Sequence, residues 1–275
     1  MAHDLHFESP GFAKRLKSML GVDFYRLFHT PMYYIFLAIA AIIPAMILGT
    51  GGMENPQTGE VSALLYTNVW NAIAADTPLY VFSHIGEYAN MNMVFIFGGI
   101  MVSIFIGHDY RSGYVKQLFT THAKKQDYMM SKSIICAFAM ACMCITYLIG
   151  AVLAGALTGL DFSVNFASLL IAILSKVVLS LGWASLYTFL NVVFRKQFGI
   201  SIASSFFFGT GILIIGAAAI LGNSSILNVF LYGSSVFACL SSTPLTFVVC
   251  LVCSVAWAVI YNLLGSWLLS RSDVY

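Results

Sequence analysis

The sequence predicts an all-α polytopic membrane protein, and three observations lead to that prediction. The 275 residues are 60% hydrophobic and only 9% charged, whereas a soluble globular domain carries about 25% charged residues. Several apolar runs are long enough, at about 20 residues, to cross a bilayer as helices. The basic residues are also confined to a few segments between these runs, which is typical of loops that set orientation. We therefore expect a single transmembrane domain over residues 1–275.

The first predicted element is a cytoplasmic amphipathic helix within residues 1–30. Seven apolar residues recur at helical spacing between positions 11 and 30, and four basic residues are placed to meet lipid headgroups. The apolar ones are Phe12, Leu16, Met19, Leu20, Phe24, Leu27 and Phe28, and the basic ones are Lys14, Arg15, Lys17 and Arg26. No small-residue cleavage pattern follows the next apolar run, so that run is predicted to be a retained span and not a signal peptide.

Six apolar runs are predicted to be transmembrane helices. They cover residues 31–48, 91–107, 134–157, 166–194, 200–221 and 245–269. Spans one and two thus lie within 31–107, where an outer loop at 50–90 joins them, and spans three to six lie within 134–275. A seventh apolar stretch, 226–240, is short for a span and has Gly-Ser-Ser at its centre. It predicts a re-entrant or outer-leaflet helical element between spans five and six.

Orientation follows from the Lys and Arg residues, twelve of which fall on one side of this arrangement. These are Lys14, Arg15, Lys17, Arg26, Arg111, Lys116, Lys124, Lys125, Lys132, Arg195, Lys196 and Arg271. The opposite side, at 49–90, 158–165 and 222–244, has no basic residue. Short loops rich in Lys and Arg stay in the cytoplasm, so both termini are predicted to be cytoplasmic.

Enzyme motifs are missing from the sequence. It contains no G-x-x-x-x-G-K-[ST], no H-E-x-x-H and no G-x-S-x-G, so we expect no P-loop nucleotide site and no catalytic residue. His84 and Glu87 lie three residues apart in the outer loop, but a metal site needs a third protein ligand. An intramembrane metal enzyme that uses them, with Cys250 and Cys253, is an alternative; the preferred interpretation assigns no metal ligand.

One charge is predicted to lie inside the membrane. If the fourth span starts at Phe166, Lys176 lies about 15 Å deep at about 1.5 Å per residue. Ser180, Tyr187 and Asn191 follow it on the same helical face. A cation on an intramembrane polar stripe is a candidate functional site and a possible substrate path. The alternative is that the helix starts later and Lys176 extends toward the membrane surface.

Residues 107–132 contain seven of the chain's charged side chains within one short loop. Apolar residues are interleaved with them, and Tyr114, Val115, Leu118 and Phe119 would share one face of a helix. A basic loop that only binds lipid has no need of this apolar face. A short helix that inserts into a groove on a cytoplasmic partner would use it.

The same loop resembles one in the type-2 class of ABC exporter permeases. In that class an acidic residue is followed by Gly-Thr-x-Lys, a short apolar stretch, a Pro-x-Ser-Arg-like turn, an aromatic residue and a closing Lys. The matching positions here, without a gap from Gly113 onward, are Asp109, Gly113, Tyr114, Val115, Lys116, Leu118, Phe119, His122, Ala123, Lys124, Lys125, Tyr128 and Lys132. Tyr114, His122, Lys124 and Lys125 depart from the pattern, and a Lys cannot make the bidentate contacts of an Arg.

The resemblance implies a function and a set of partners. Two such permeases pair as a homodimer or heterodimer in the plasma membrane, and each binds a separate ABC ATPase subunit through loop 108–133, the coupling helix. ATP and Mg are bound by the ATPase, so no cofactor is expected on this chain, and no nucleic acid is expected as a partner. The residues implied in ATPase coupling are Asp109, Gly113, Tyr114, Val115, Lys116, Leu118, Phe119, Lys125, Tyr128 and Lys132.

The substrate implied for such an exporter is hydrophobic or amphipathic, for example an antimicrobial peptide or a drug-like molecule. An ion- or proton-coupled carrier that uses Lys176 is the main alternative function. The two differ in their energy source, because a carrier transports without ATP.

Overall fold

The structure is a computed structural model. It describes residues 11–49, 53–54, 61–62, 93–120, 123–157, 166–212, 220, 229–240 and 243–271. Nine helices form within these ranges: α1 Phe12–Phe28, α2 Pro31–Gly49, α3 Met93–Arg111, α4 Tyr114–Thr120, α5 Lys125–Leu157, α6 Phe166–Val193, α7 Phe198–Gly209, α8 Leu231–Leu240 and α9 Pro244–Arg271. Two strands of two residues each, β1 Met53–Glu54 and β2 Val61–Ser62, pair antiparallel.

The predicted helical fold is confirmed for the described residues, and several of the helices could span a membrane. Four of the described helices, α3, α5, α6 and α9, are long and apolar enough to cross a membrane. Helices α1 and α2 meet at a bend of 67°, and counting that pair as one broken span gives five. Helix α7, in the predicted fifth span, has 12 residues, and the chain takes a φ of +67° at Gly211 just after it. That left-handed conformation ends a helix.

Helix α6 lies at the centre of the bundle. It packs against α5 on one side and α9 on another, and it also contacts α3, α7 and α8, while α2 packs on the outer side of α5. Trp183 of α6 stacks between Phe95 of α3 and Tyr187, with ring centroids 5.6 and 5.5 Å apart. Its indole Nε1 donates a hydrogen bond to Ser235 Oγ of α8 at 2.8 Å. Aromatic packing and single hydrogen bonds thus fix the neighbours of the central helix.

The charged loop is shorter than the sequence predicted. Helix α3 continues to Arg111 and α5 begins at Lys125, so 112–124 is what remains of loop 108–133, and α4 occupies its centre. Asp109, Asp127 and Lys132 lie in these extensions, and each is paired with an opposite charge, as described below. Helices α2, α6 and α9 have the predicted bounds to within two residues, including the start of α6 at Phe166. Helix α7 ends at Gly209 instead of continuing to 221, and α8 begins at Leu231 instead of 226.

Candidate functional site

The basic segments of the sequence meet at one end of the bundle. Arg15 of α1 donates to Asp127 at the start of α5 at 2.7 Å. Lys125 Nζ donates to the carbonyl oxygen of Leu269 at the end of α9 at 2.6 Å. The Arg111 guanidinium lies 4.0 Å from the ring centroid of Phe198, the first residue of α7. We call this region, which also contains α4, the basic end of the bundle.

Three buried charges and one partly buried charge form a network at the basic end, which we call the ionic clamp: Asp23, Asp109 and Lys132, with Arg26. Lys132 Nζ donates to Asp23 Oδ1 at 2.5 Å and lies 2.7 Å from Asp109 Oδ2. Arg26 Nη2 donates to Asp109 Oδ1, and Arg26 lies 3.9 Å from Asp23. Ser131 Oγ donates to Asp23 Oδ2 at 2.7 Å. The clamp therefore joins α1, α3 and α5, the helices on both sides of the loop.

The clamp is closed to solvent except at Arg26. Asp23, Asp109 and Lys132 are each 1% exposed or less, and the side chain of Arg26 is 23% exposed. Burial by itself lowers the pKa of the Arg26 guanidinium, but Asp109 and Asp23 together raise that pKa above its ordinary value. Two anions and two cations balance in charge, as a buried group of ions requires.

Aromatic rings cover the two cations of the clamp. The Arg26 guanidinium lies 4.3 Å from the ring centroid of Tyr114 in α4, and Lys132 Nζ lies 5.1 Å from that of Phe105 and 5.5 Å from that of Tyr114. Cations at these distances from ring faces are attracted by the ring quadrupole. Tyr114 therefore ties the first residue of α4 to the clamp.

Helix α4 turns its apolar face into its own chain. Val115 is 1% exposed and packs with Tyr128, Met129, Val192 and Leu269 in a small core at the basic end. Gly113, just before α4, takes a φ of +73°, which favours glycine and allows the chain to reverse. Of this face, Val115 is covered by the chain itself, while Tyr114, Leu118 and Phe119 are partly buried. Insertion of the face into a partner stays a prediction. The surface that remains outward is polar: Lys116, Gln117 and Thr120.

The ten residues predicted to couple to an ATPase lie together, but mostly inside the chain. Asp109, Val115, Tyr128 and Lys132 are buried; Gly113, Tyr114, Leu118, Phe119 and Lys125 are partly buried; Lys116 is exposed. Their common role here is to hold α4 in place between α3 and α5. Docking to a partner stays a prediction, and Lys116 is the residue of this set whose side chain is available for it. His122 of the motif lies outside the described residues.

The polar stripe of α6 faces the interior of the bundle. Lys176, Ser180, Tyr187 and Asn191 are all buried. Because α6 does begin at Phe166, Lys176 has the depth along the helix that the sequence predicted. Its Nζ lies 5.9 Å from the ring centroid of Tyr147 in α5. Whether a substrate follows this stripe stays a prediction.

At its Asn191 end the stripe joins a cluster of neutral polar side chains, which we call the hydroxyl–amide cluster: Ser103, Asn191, Ser201 and Ser205. Asn191 Nδ2 donates to Ser103 Oγ at 3.1 Å, and Asn191 Oδ1 accepts from Ser201 Oγ at 2.5 Å. Ser103 and Ser205 share a further hydrogen bond of 2.8 Å. The cluster attaches the short helix α7 to α3 and α6.

Sequence reasoning missed half of the clamp. Arg15 and Arg26 were expected at lipid headgroups, but both pair with carboxylates of other helices. Asp23 was not considered, although the sequence contains a signal for it: it lies on the apolar face of α1, between Leu20 and Leu27. A carboxylate on a buried face requires a partner, and that partner is Lys132.

The metal alternative finds no support among the described residues. No group of three or more His, Cys, Asp or Glu residues is arranged there to hold a metal ion. Neither Cys250 nor Cys253 forms a disulfide with another described cysteine, and their Sγ atoms lie 3.6 and 3.5 Å from the backbone carbonyl oxygens of Ser234 and Val229. His84 and Glu87 lie outside the described residues.

No protein-family model matches the sequence, and a search of curated proteins gives no significant match. The function is therefore inferred from the geometry described above.

Proposed function

We propose that this chain is the membrane-spanning permease subunit of an ATP-driven ABC exporter. It crosses the plasma membrane six times with both termini in the cytoplasm, pairs with a second permease copy, and exports a hydrophobic or amphipathic peptide or drug-like molecule. A separate ATPase drives it through the polar face of α4. The observation that carries the proposal is a short helix held rigidly, with a polar face outward, at the end where the basic residues collect.

The clamp connects α4 firmly to other helices, and coupling to a motor subunit needs such a connection. A partner that pushes on α4 pushes on Tyr114 and Val115, which contact the clamp and the small core of the basic end. Those contacts continue into α1, α3, α5 and α9. Packed interfaces of this kind switch between discrete arrangements instead of deforming gradually, so a force on α4 is passed to whole helices.

Site-specific crosslinking tests the proposal. A photo-reactive residue is placed at Lys116 or Gln117, and a matched one at Lys196, which is exposed in the turn after α6. We expect an ATPase to co-purify with the chain from its native membrane and to crosslink to the two α4 positions. Equal crosslinking from position 196, or no ATPase in the purified material, contradicts the proposal.

A Lys116→Glu substitution adds a functional test. The exposed side chain makes the fold tolerant of the change, while reversal of charge at a docking surface weakens association. We expect less ATPase to be retained by Lys116→Glu and a normal amount by Lys196→Glu, which makes the same change of charge outside α4.

A carrier coupled to ions or protons is the second candidate, favoured by the burial of Lys176. An intramembrane cation that lies inside the bundle is a functional candidate by default, and the residue packed over its ammonium is an aromatic ring and not a carboxylate. Flux into vesicles that contain the purified chain alone, lost in Lys176→Met, would support a carrier. Flux that requires ATP and a second subunit supports the exporter.

A further inference from the structure

An open groove of about 820 Å³ lies at the basic end, between the start of α5 and the last turns of α9. It is lined by Phe119, Ala123, Lys124, Lys125, Gln126, Leu263, Ser266, Trp267 and Ser270. Two of the nine are basic and none is acidic. The Arg271 guanidinium lies 4.3 Å from the ring centroid of Trp267, at the edge of the groove.

The groove continues into an apolar stripe along the outside of α9. Six residues at intervals of three or four share this face, and all are exposed: Val248, Val252, Val255, Val259, Leu263 and Trp267. Only 22% of the most apolar part of α9 is buried, against 56–61% in α3, α5 and α6. The stripe is thus an uncovered apolar surface that ends at the groove, near Lys124 and Arg271.

The depth of the groove suits the boundary between lipid tails and headgroups. Helix α9 has 28 residues and is about 42 Å long at about 1.5 Å per residue, which exceeds a hydrocarbon core of about 30 Å. Its last turns therefore extend past the core. Trp and Tyr are enriched at that level, and Lys and Arg extend to it. Trp267 and Arg271 have these positions on α9.

The charges at the basic end favour an anionic phospholipid over a second copy of the chain as the occupant of the groove. Of the acidic residues that the structure describes at the basic end, Asp23, Asp109 and Asp127 are all buried in ion pairs. A second copy of the chain would therefore bring basic groups, and no available carboxylate from these three, against Lys124 and Lys125. An anionic phospholipid brings a phosphate for the basic residues and acyl chains for the stripe.

From this combination we infer that the groove is a binding site for an anionic phospholipid of the cytoplasmic leaflet. Its headgroup phosphate lies between Lys124 and Arg271, beside the Trp267 ring. One acyl chain follows Leu263 and Val259 along α9. The bound lipid fills the space between the loop that carries α4 and the end of α9. This inference does not depend on the proposed exporter function, since it needs only a protein that lies in a membrane.

Native mass spectrometry of the purified full chain tests the site. The protein is exchanged into nanodiscs that contain phosphatidylcholine and phosphatidylglycerol in equal amounts, released in a mild detergent, and scored for retained lipid. The test variant is Lys124→Gln with Arg271→Gln. The control is Lys14→Gln with Lys196→Gln, which removes the same charge from exposed positions outside the groove.

We expect the native chain and the control to retain phosphatidylglycerol in preference to phosphatidylcholine. The test variant should retain about tenfold less phosphatidylglycerol, because it removes the two basic side chains between which the phosphate lies. Trp267→Ala should lower retention without a change of net charge. Equal retention in test and control variants overturns the inference, as does equal retention of both lipids. A dimer that dissociates on Trp267→Ala, with lipid retention unchanged, assigns the face to a second copy instead.

Discussion

The ionic clamp and the hydroxyl–amide cluster join overlapping sets of helices by opposite chemistry. The clamp joins α1, α3 and α5 with two carboxylates, a guanidinium and an ammonium, whereas the cluster joins α3, α6 and α7 with three hydroxyls and an amide. Their members on α3, Ser103 and Asp109, are six residues apart, or about 9 Å at about 1.5 Å per residue. Along α3, the contacts between helices thus change from ion pairs to neutral hydrogen bonds within two turns.

The change follows the cost of taking each group out of water. An ion moved to a medium of low dielectric constant costs several kcal/mol even after relaxation, while a hydroxyl or amide that finds a partner costs little. The basic end lies where the bundle leaves the membrane in the predicted topology, so its ions can be assembled with the least penalty. Deeper in the bundle, neutral groups provide specific contacts between helices at a lower desolvation cost.

Asp109→Asn should have the largest effect on stability. The change leaves Lys132 and Arg26 to share Asp23, so a buried positive charge is left uncompensated. Breaking a buried ion pair in this way costs about 3–5 kcal/mol. The measurement is the free energy of unfolding in mixed micelles, followed by circular dichroism while the denaturing detergent is raised.

Two further variants separate the loss of the pair from the loss of a side chain. Lys116→Gln removes an exposed charge from the same loop and should change the free energy of unfolding by less than about 0.5 kcal/mol. Asp109→Asn combined with Lys132→Met removes both partners and should recover part of the loss. An Asp109→Asn variant as stable as the native chain would mean that the clamp contributes no more than a surface ion pair.

Some of this arrangement was predictable from the sequence and some was not. Long apolar runs predicted α6 and α9 almost to their ends, because a membrane span has a length fixed by the bilayer. The position of Lys132 in the loop pattern was predicted, but its burial was not, since its partner Asp23 lies 109 residues earlier and no local pattern connects the two. The apolar face of α4 was recognised, and only the packed bundle shows that its Val115 is buried with Val192 and Leu269.

Asn191→Leu should have a smaller effect than Asp109→Asn, through the hydroxyl–amide cluster. Ser103 and Ser201 lose a partner, and a buried hydroxyl left without its hydrogen bond costs about 1–3 kcal/mol. In membranes such contacts average closer to about 0.6 kcal/mol, so a loss of about 1 kcal/mol is expected, well below that of Asp109→Asn. Hydrogen exchange of the α7 amides should rise with it. Thr210→Ala is the control, because the hydroxyl of this C-cap residue bonds only to the carbonyl oxygen of Phe207 in its own helix. An equal loss in the two variants would remove the distinction between the clamp and the cluster.

Gly107→Ala tests how closely the clamp side of α3 is packed. A methyl group at this position would overlap the ring of Phe198, which also contacts the Arg111 guanidinium. Overpacking of this kind costs about 1–3 kcal/mol, and the lower half of that range is expected because a ring can shift. Gly199→Ala has open space around the added methyl group and is the matched control. A smaller loss in Gly107→Ala than in Gly199→Ala, measured by detergent unfolding, would show that α7 is not held against α3.

Gly21→Ala should have the smallest effect, and it should stabilise the protein. Gly21 lies inside α1, is exposed, and has nothing within 4 Å of an added methyl group, so the change acts through helix propensity alone, at about 0.8 kcal/mol. If the clamp orders α1, Gly21→Ala should slow exchange of the α1 amides more in the Asp109→Asn background than in the native chain. In that background the helix has lost its main ionic contact. Hydrogen exchange of the α1 amides in the four combinations measures that difference. Equal gains in both backgrounds would mean that α1 is ordered by its apolar contacts and that the ions join a helix already in place.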